Sequence, residues 1–201
     1  MSLANLPKML LSESEGWTDL IRIHPSVAKL YGAFVVPMSL VPPVMYGYAE
    51  LMHPGGILPA VTPALTIGQL CLWGAAMFVL EVAMVALMAN YIQQIGESVD
   101  VSLPFDRASL LAATALTPMW LSSLALIVPS VRANLAVLAL AWLAAAVLIR
   151  HGIRPMFKLE DERLSHRLAN EVTIASVLAG LIMLLVFASL LSTMLGAHRV
   201  V

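Results

Sequence analysis

Five long apolar runs dominate this sequence, and each is long enough to cross a lipid bilayer. A transmembrane helix needs roughly 20 predominantly apolar residues to traverse a hydrocarbon core of about 30 Å. The runs are Leu30–Met52, charge-free until Glu50; Ile67–Ile92, with one charge at Glu81; Ala108–Val128, uncharged; Val131–Ile149, with Arg132 and Asn134 at its mouth; and Val172–Leu195, with no charge. Inside lipid the backbone must satisfy its own hydrogen bonds, so each run is expected to be helical. Strands of a membrane barrel would alternate at period two, and stretches such as LAVLALAWLAAAVLI do not.

Composition agrees with this reading and removes other classes. Of 201 residues, 60% are hydrophobic and 11% charged, with a mean hydropathy of +0.90. Soluble domains carry about 25% charged residues, so a water-soluble fold is excluded. A net charge of −1 leaves no global basic field for gripping nucleic acid. The single cysteine, Cys71, makes neither an internal disulfide nor a Cys-rich metal site. The segment MSLANLPKMLLSESEGW has no apolar stretch of signal-peptide length, so no cleavable leader is expected there.

The expected fold class is all-α: a polytopic membrane bundle of five helices with an interfacial amphipathic helix at the N-terminus. The chain divides into residues 1–29 before the membrane, 30–195 in the five-span domain, and a short tail, 196–201. His53–Pro63 is a Gly/Pro-rich loop between the first two spans. Gln93–Arg107 joins the second and third, with Asp106 placed as an N-cap. Pro129 and Ser130 alone separate the third and fourth spans, which predicts a tight helical hairpin, and Arg150–Glu171 is the longest polar connection. Near the start, Ser12 and Glu15 have capping-box spacing. Trp17, Leu20 and Ile21 follow on one helical face, and His24-Pro25 ends the turn. That helix either lies on the membrane surface or packs against the protein itself.

Lys and Arg positions set the expected orientation. Lys8, Arg22, Lys29, Arg107, Arg150, Arg154, Lys158, Arg163 and Arg167 fall on one side, and only Arg132 and Arg199 on the other. The bias places the N-terminus in the cytoplasm and the tail AHRVV outside. The expected location is a cell membrane, and the resemblance described next implies the inner membrane of a bacterium.

The third and fourth spans also carry a resemblance. Leu116-Thr117-Pro118-Met119-Trp120-Leu121-Ser122 leads to Pro129, and Gly152-Ile153 and Pro155-Met156-Phe157 follow the next span. This resembles the bacterial branch of the Yip1 family, in which a Thr-Pro-x-x-x-Ser-like stretch precedes a proline turn and the next helix exits in a Gly-Ile-Pro-like motif. Here Arg154 intervenes between Ile153 and Pro155. The Lys158–Arg167 loop before the last span and the early His24-Pro25 are similar to that family too. The resemblance implies five spans and a cytoplasmic N-terminus. Eukaryotic members are linked to small Rab-type GTPases and vesicle traffic, a link that fold alone does not transfer.

Glu81 is the most informative single residue, because a carboxyl in mid-membrane is costly and usually faces the bundle interior. It is either part of a proton or cation relay or a structural tie to Thr114, Thr117, Ser122 or a backbone carbonyl freed by Pro118. Glu81, Thr117, Pro118 and Ser122 therefore form the candidate intramembrane polar site. Pro37, Pro42 and Pro43 remove backbone donors and should kink or break the first span. Broken helices of this kind either line a substrate cavity or serve packing alone, and a cavity beside Pro42 distinguishes the two. Gly74, Ala75, Ala76, Ala83 and Ala86, with the alanines at 144–146, suit close helix approach. His24, His53, His151, His166 and His198 are scattered and show no metal-ligand spacing. No phosphate loop, nucleophile elbow or HExxH pattern is present, so no catalytic residue, cofactor or metal is assigned. Arg150, Gly152, Arg154, Pro155, Lys158, Arg163 and Arg167 form the candidate cytoplasmic interaction loop. Its basic residues suit anionic headgroups, and its mixed centre, with Glu160, Asp161, Glu162 and Glu171, suits a docked protein.

These readings lead to a non-enzymatic membrane protein that binds other proteins, itself among them, or organises lipid. The alternatives are a small transporter or channel centred on Glu81, and an accessory subunit of a larger membrane complex.

Overall fold

The computed structural model of the chain describes residues 6–12, 16–23, 25–55 and 65–196. Two short helices, α1 (Leu6–Leu11) and α2 (Trp17–Ile23), precede five that are long and apolar enough to span a membrane. These are α3 (Val27–Met52), α4 (Ile67–Glu97), α5 (Phe105–Ile127), α6 (Val131–Phe157) and α7 (Glu162–Gly196). No strand occurs among the described residues. Short connections make successive spans antiparallel. One end of the bundle therefore carries α1 and α2, and the opposite end carries the connections after α3 and α5.

The prolines segment α3 as their chemistry requires. A wide π-turn at Tyr31–Val35 comes just before Pro37, with the Val36 N–H donating to the Tyr31 carbonyl five residues back. A second break falls at Leu40, where Pro42 and Pro43 cannot donate to the preceding turn. The α5 helix tightens into a 3₁₀ turn over Ser123–Ile127 before the hairpin. Ser130 then caps α6, its Oγ accepting from the Ala133 N–H at 3.4 Å. Thr66 and Gln69 form a capping box at the start of α4.

Two expectations need correction, and one left open is decided. Arg150–Glu171 is almost entirely helical: α6 continues to Phe157, α7 begins at Glu162, and only residues 158–161 turn the chain. Nothing before Lys158 stops α6, because Pro155 falls in its last turn, where one lost bond is tolerated. The helix ends where Lys158 adopts a left-handed φ of 54°. Asp106 is not the N-cap of α5. Pro104 holds that position, and Asp106 sits inside the first turn, accepting from the Arg107 N–H at 2.9 Å. Of the two placements open to the N-terminal helix, packing against the protein is seen, with Met9, Trp17 and Leu20 buried. Glu15, His24 and most of His53–Pro63 lie outside the described residues, as does the tail AHRVV.

The central helix is α5, buried along one continuous stretch from Ala108 to Ala115 and again at Thr117 and Trp120. The main core fills the end of the bundle nearer α1 and α2, where Trp17, Leu111, Leu148 and Ile153 meet. Gly152 is the closest approach there. A Cβ on it would lie 2.5 Å from both Leu111 Cδ1 and Trp17 Cη2, so any side chain would push the N-terminal helices off α6. A smaller aromatic cluster closes the opposite end, with Trp73 5.8 Å from Tyr46 and 5.5 Å from Phe187 between ring centres. Leu72, Leu87, Leu140, Ile182 and Leu185 point outward and exposed. In a bilayer such a surface costs nothing, since lipid tails are as apolar as leucine.

Candidate intramembrane site and the basic end of the bundle

Midway along α4, Glu81 meets the indole of Trp120. Nε1 donates to Glu81 Oε2 at 2.9 Å. Trp120 is fully buried, and its ring packs edge-on to Phe34 at 6.2 Å. One tryptophan thus joins α5 to α4 through a hydrogen bond and to α3 through an aromatic contact. The other carboxyl oxygen, Oε1, accepts no hydrogen bond from the described residues.

Glu81 is bonded to Trp120, and the hydroxyls expected beside it bond to carbonyls of their own helix. Thr114 Oγ1 donates to the Leu110 carbonyl at 2.7 Å and Thr117 Oγ1 to the Ala113 carbonyl at 2.9 Å. Ser122 Oγ donates to the Met119 carbonyl at 2.7 Å. Short hydroxyl side chains in a helix reach their own backbone before they reach a neighbour. Pro118 lies on α5 two residues before Trp120. Trp120 was legible only as part of the Thr-Pro-Met-Trp stretch, and nothing in a lone sequence pairs it with Glu81.

Glu81 opens onto a cavity of about 430 Å³ with walls from all five spans. Pro42 lines it, at the break in α3. Ser122, Ser123, Thr173 and Ser176 also contribute, but their hydroxyls donate to backbone carbonyls of their own helices. Two polar groups in the wall stand apart from these. Asn134 Nδ2 donates to the Val128 carbonyl at 3.2 Å, leaving a buried Oδ1 with no hydrogen-bond partner. The Tyr46 hydroxyl lies beside the Glu50 carboxyl one turn along α3, without a well-formed hydrogen bond. Among the described residues, no Lys, Arg or His lines the cavity. A space of this size, apolar with a few polar groups, falls in the range that holds small molecules.

The residues of the candidate interaction loop separate. Arg150, Arg154, Lys158, Arg163 and Arg167 are exposed, Pro155 is half-buried, and Gly152 is buried beneath Trp17. A second, polar cavity of about 230 Å³ lies where α6 ends and α7 begins, lined by Arg150, His151, Arg154, Glu162, Ser165 and His166. Arg150 donates to Asn170 Oδ1 at 2.9 Å, and His166 Nε2 lies 3.6 Å from Glu162 Oε1. His151 Nδ1 lies 3.2 Å from the Met9 carbonyl, which joins this polar end to α1. Arg167 pairs with Glu171 along the helix at 3.0 Å.

Comparison with known proteins gives one match. A family model described as the Yip1 domain covers residues 8–190. No curated protein and no solved structure matches the chain.

Proposed function

This chain belongs to the Yip1 domain family of membrane proteins, and on that premise we propose that it acts without catalysis, by holding lipids and partner proteins at the membrane surface. The observation that carries this reading is the concentration of cationic side chains at one end of the bundle. Arg150, Arg154, Lys158, Arg163 and Arg167 stand exposed within two turns of the α6–α7 junction. A cation beside an anionic membrane surface contributes about 1 kcal/mol each. With the N-terminus in the cytoplasm of a bacterial cell, this end faces the anionic inner leaflet. The polar cavity between Arg150, His151 and His166 suits a phosphate-bearing headgroup, and the acidic residues beside it suit a basic protein surface.

The test is lipid selectivity. Protein reconstituted in nanodiscs of mixed phosphatidylcholine and phosphatidylglycerol is released and its retained lipids identified by native mass spectrometry. Enrichment of phosphatidylglycerol over the bulk ratio is expected, and it falls about fivefold for each arginine removed in Arg150→Gln and Arg154→Gln. Retained lipid that matches the bulk ratio in every variant rejects the reading.

The second reading, a small transporter, draws support from the Glu81 cavity beside Pro42. Toward the end of the bundle nearer α1 and α2, the cavity runs up against the buried main core at Ile92, Leu111 and Ile149. Solute or proton flux in liposomes that is lost in Glu81→Gln would favour transport.

A further inference from the structure

We propose that the Glu81 cavity is a binding site for a lipophilic amine, a molecule with an apolar body and a protonated nitrogen that docks on Glu81 Oε1. Three observations converge on this class of ligand. The cavity wall is overwhelmingly apolar, so the body of the ligand is apolar. Glu81 Oε1 accepts no hydrogen bond from the described residues, and the wall's other unpaired atoms are Asn134 Oδ1, an acceptor, and the Tyr46 hydroxyl, which can accept or donate, so a ligand that donates at Glu81 is the complementary one. No Lys, Arg or His lines the space, so a carboxylate or phosphate head would meet a carboxyl with no cation beside it. An ammonium brings N–H donors and the complementary charge together. The Trp120 N–H occupies Oε2, which leaves Oε1 as the carboxyl oxygen open to a second donor.

The layout also fixes an approximate length. Glu81 lies 14 residues into α4 from Ile67, and Asn134 three residues into α6 from Val131, both counted from the same end of the bundle. At about 1.5 Å per residue these acceptors differ in depth by roughly 15 Å. Tyr46 falls between them, six residues from the end of α3. An unbranched chain of about ten carbons covers most of that distance and passes Tyr46. Its amine sits at mid-membrane depth and its tail runs toward the outer aromatic cluster. The site does not depend on the lipid selectivity proposed for the opposite end, nor on transport.

The test uses full-length protein in phosphatidylcholine vesicles, with decylamine and decanol as probes and tryptophan emission as the readout, since Trp120 and Trp142 border the site. Decylamine is expected to give a saturable change absent from protein-free vesicles. Its affinity should exceed that of decanol by about tenfold or more, as a charge-assisted hydrogen bond exceeds a neutral one. Glu81→Gln keeps an acceptor for Trp120 and should erase the amine preference. Ala146→Phe fills the cavity while leaving Glu81 in place, and should remove saturable binding of both probes. Equal binding of the two probes to the unmodified protein, or an amine response that does not saturate, overturns the proposal whatever the variants do.

Discussion

Trp120 and Glu81 are joined by a 2.9 Å hydrogen bond from the indole Nε1 to Oε2, and that bond is where the middle of α5 is fastened to the middle of α4. It matters because it occurs at bilayer depth, where a polar group without a partner is costly. The carboxyl that the sequence flags as anomalous is held by a donor at one oxygen, and the same residue lines a cavity.

The first prediction follows from that pair. Trp120→Phe keeps the ring contact to Phe34 and removes the donor, and should cost about 1.5–3 kcal/mol, the range for hydrogen bonds to charged groups. In a chain of this size that lowers the melting temperature by roughly 3–12 °C. Glu81→Gln should lose less, because an amide oxygen still accepts from the indole. Thermal melts by circular dichroism in one detergent check the order: Trp120→Phe below Glu81→Gln below the unmodified protein.

Gly152 predicts a dependence of the N-terminal helices on a missing side chain. A Cβ at 2.5 Å from Leu111 and Trp17 cannot be accommodated without displacement. Gly152→Ala should therefore release α1 and α2 while the spans remain, with overpacking costing about 1–3 kcal/mol. Limited proteolysis is the measurement. Cleavage before Val27 should accelerate severalfold, and Trp17→Ala should do the same by emptying the site from the other side.

Glycines elsewhere separate tight from open positions. At Gly96 a Cβ would lie 2.6 Å from the Val101 carbonyl oxygen and 2.7 Å from Phe157 Cε1, whereas at Gly47 nothing comes within 4 Å. Gly96→Ala should lower the melting temperature. Gly47→Ala, in an open helical position, should raise it by the equivalent of about 0.5–1 kcal/mol. Melts of the two variants side by side decide this, and a similar drop in both would contradict the packing described for the α4–α5 connection.

Much of the architecture was legible because membrane insertion leaves a coarse and unambiguous trace. Length and apolarity alone give the five spans, the hairpin at Pro129-Ser130, and the break at Pro42-Pro43. What was missed depends on local competition or tertiary proximity. Lys158 ends α6 by adopting a left-handed conformation, which its side chain does not advertise, so the helical extension past Ile149 read as loop. Thr114 and Thr117 looked like partners for Glu81, but their hydroxyls bond one turn back along α5. Trp120 was legible only within the Thr-Pro-Met-Trp stretch and Asn134 only as a helix-mouth residue, since only the assembled bundle brings Trp120 to Glu81 and Asn134 to the cavity that Glu81 lines.

Every placement above rests on the number of membrane crossings being odd. The most direct measurement fuses a reporter active only in the cytoplasm, and in parallel one active only outside it, to each end of the chain. Five crossings predict cytoplasmic signal from the N-terminal fusion and external signal from the C-terminal fusion. Both ends reporting from one compartment would contradict the five-span bundle, and with it the depth of Glu81 and the side assigned to Arg150 and Arg154.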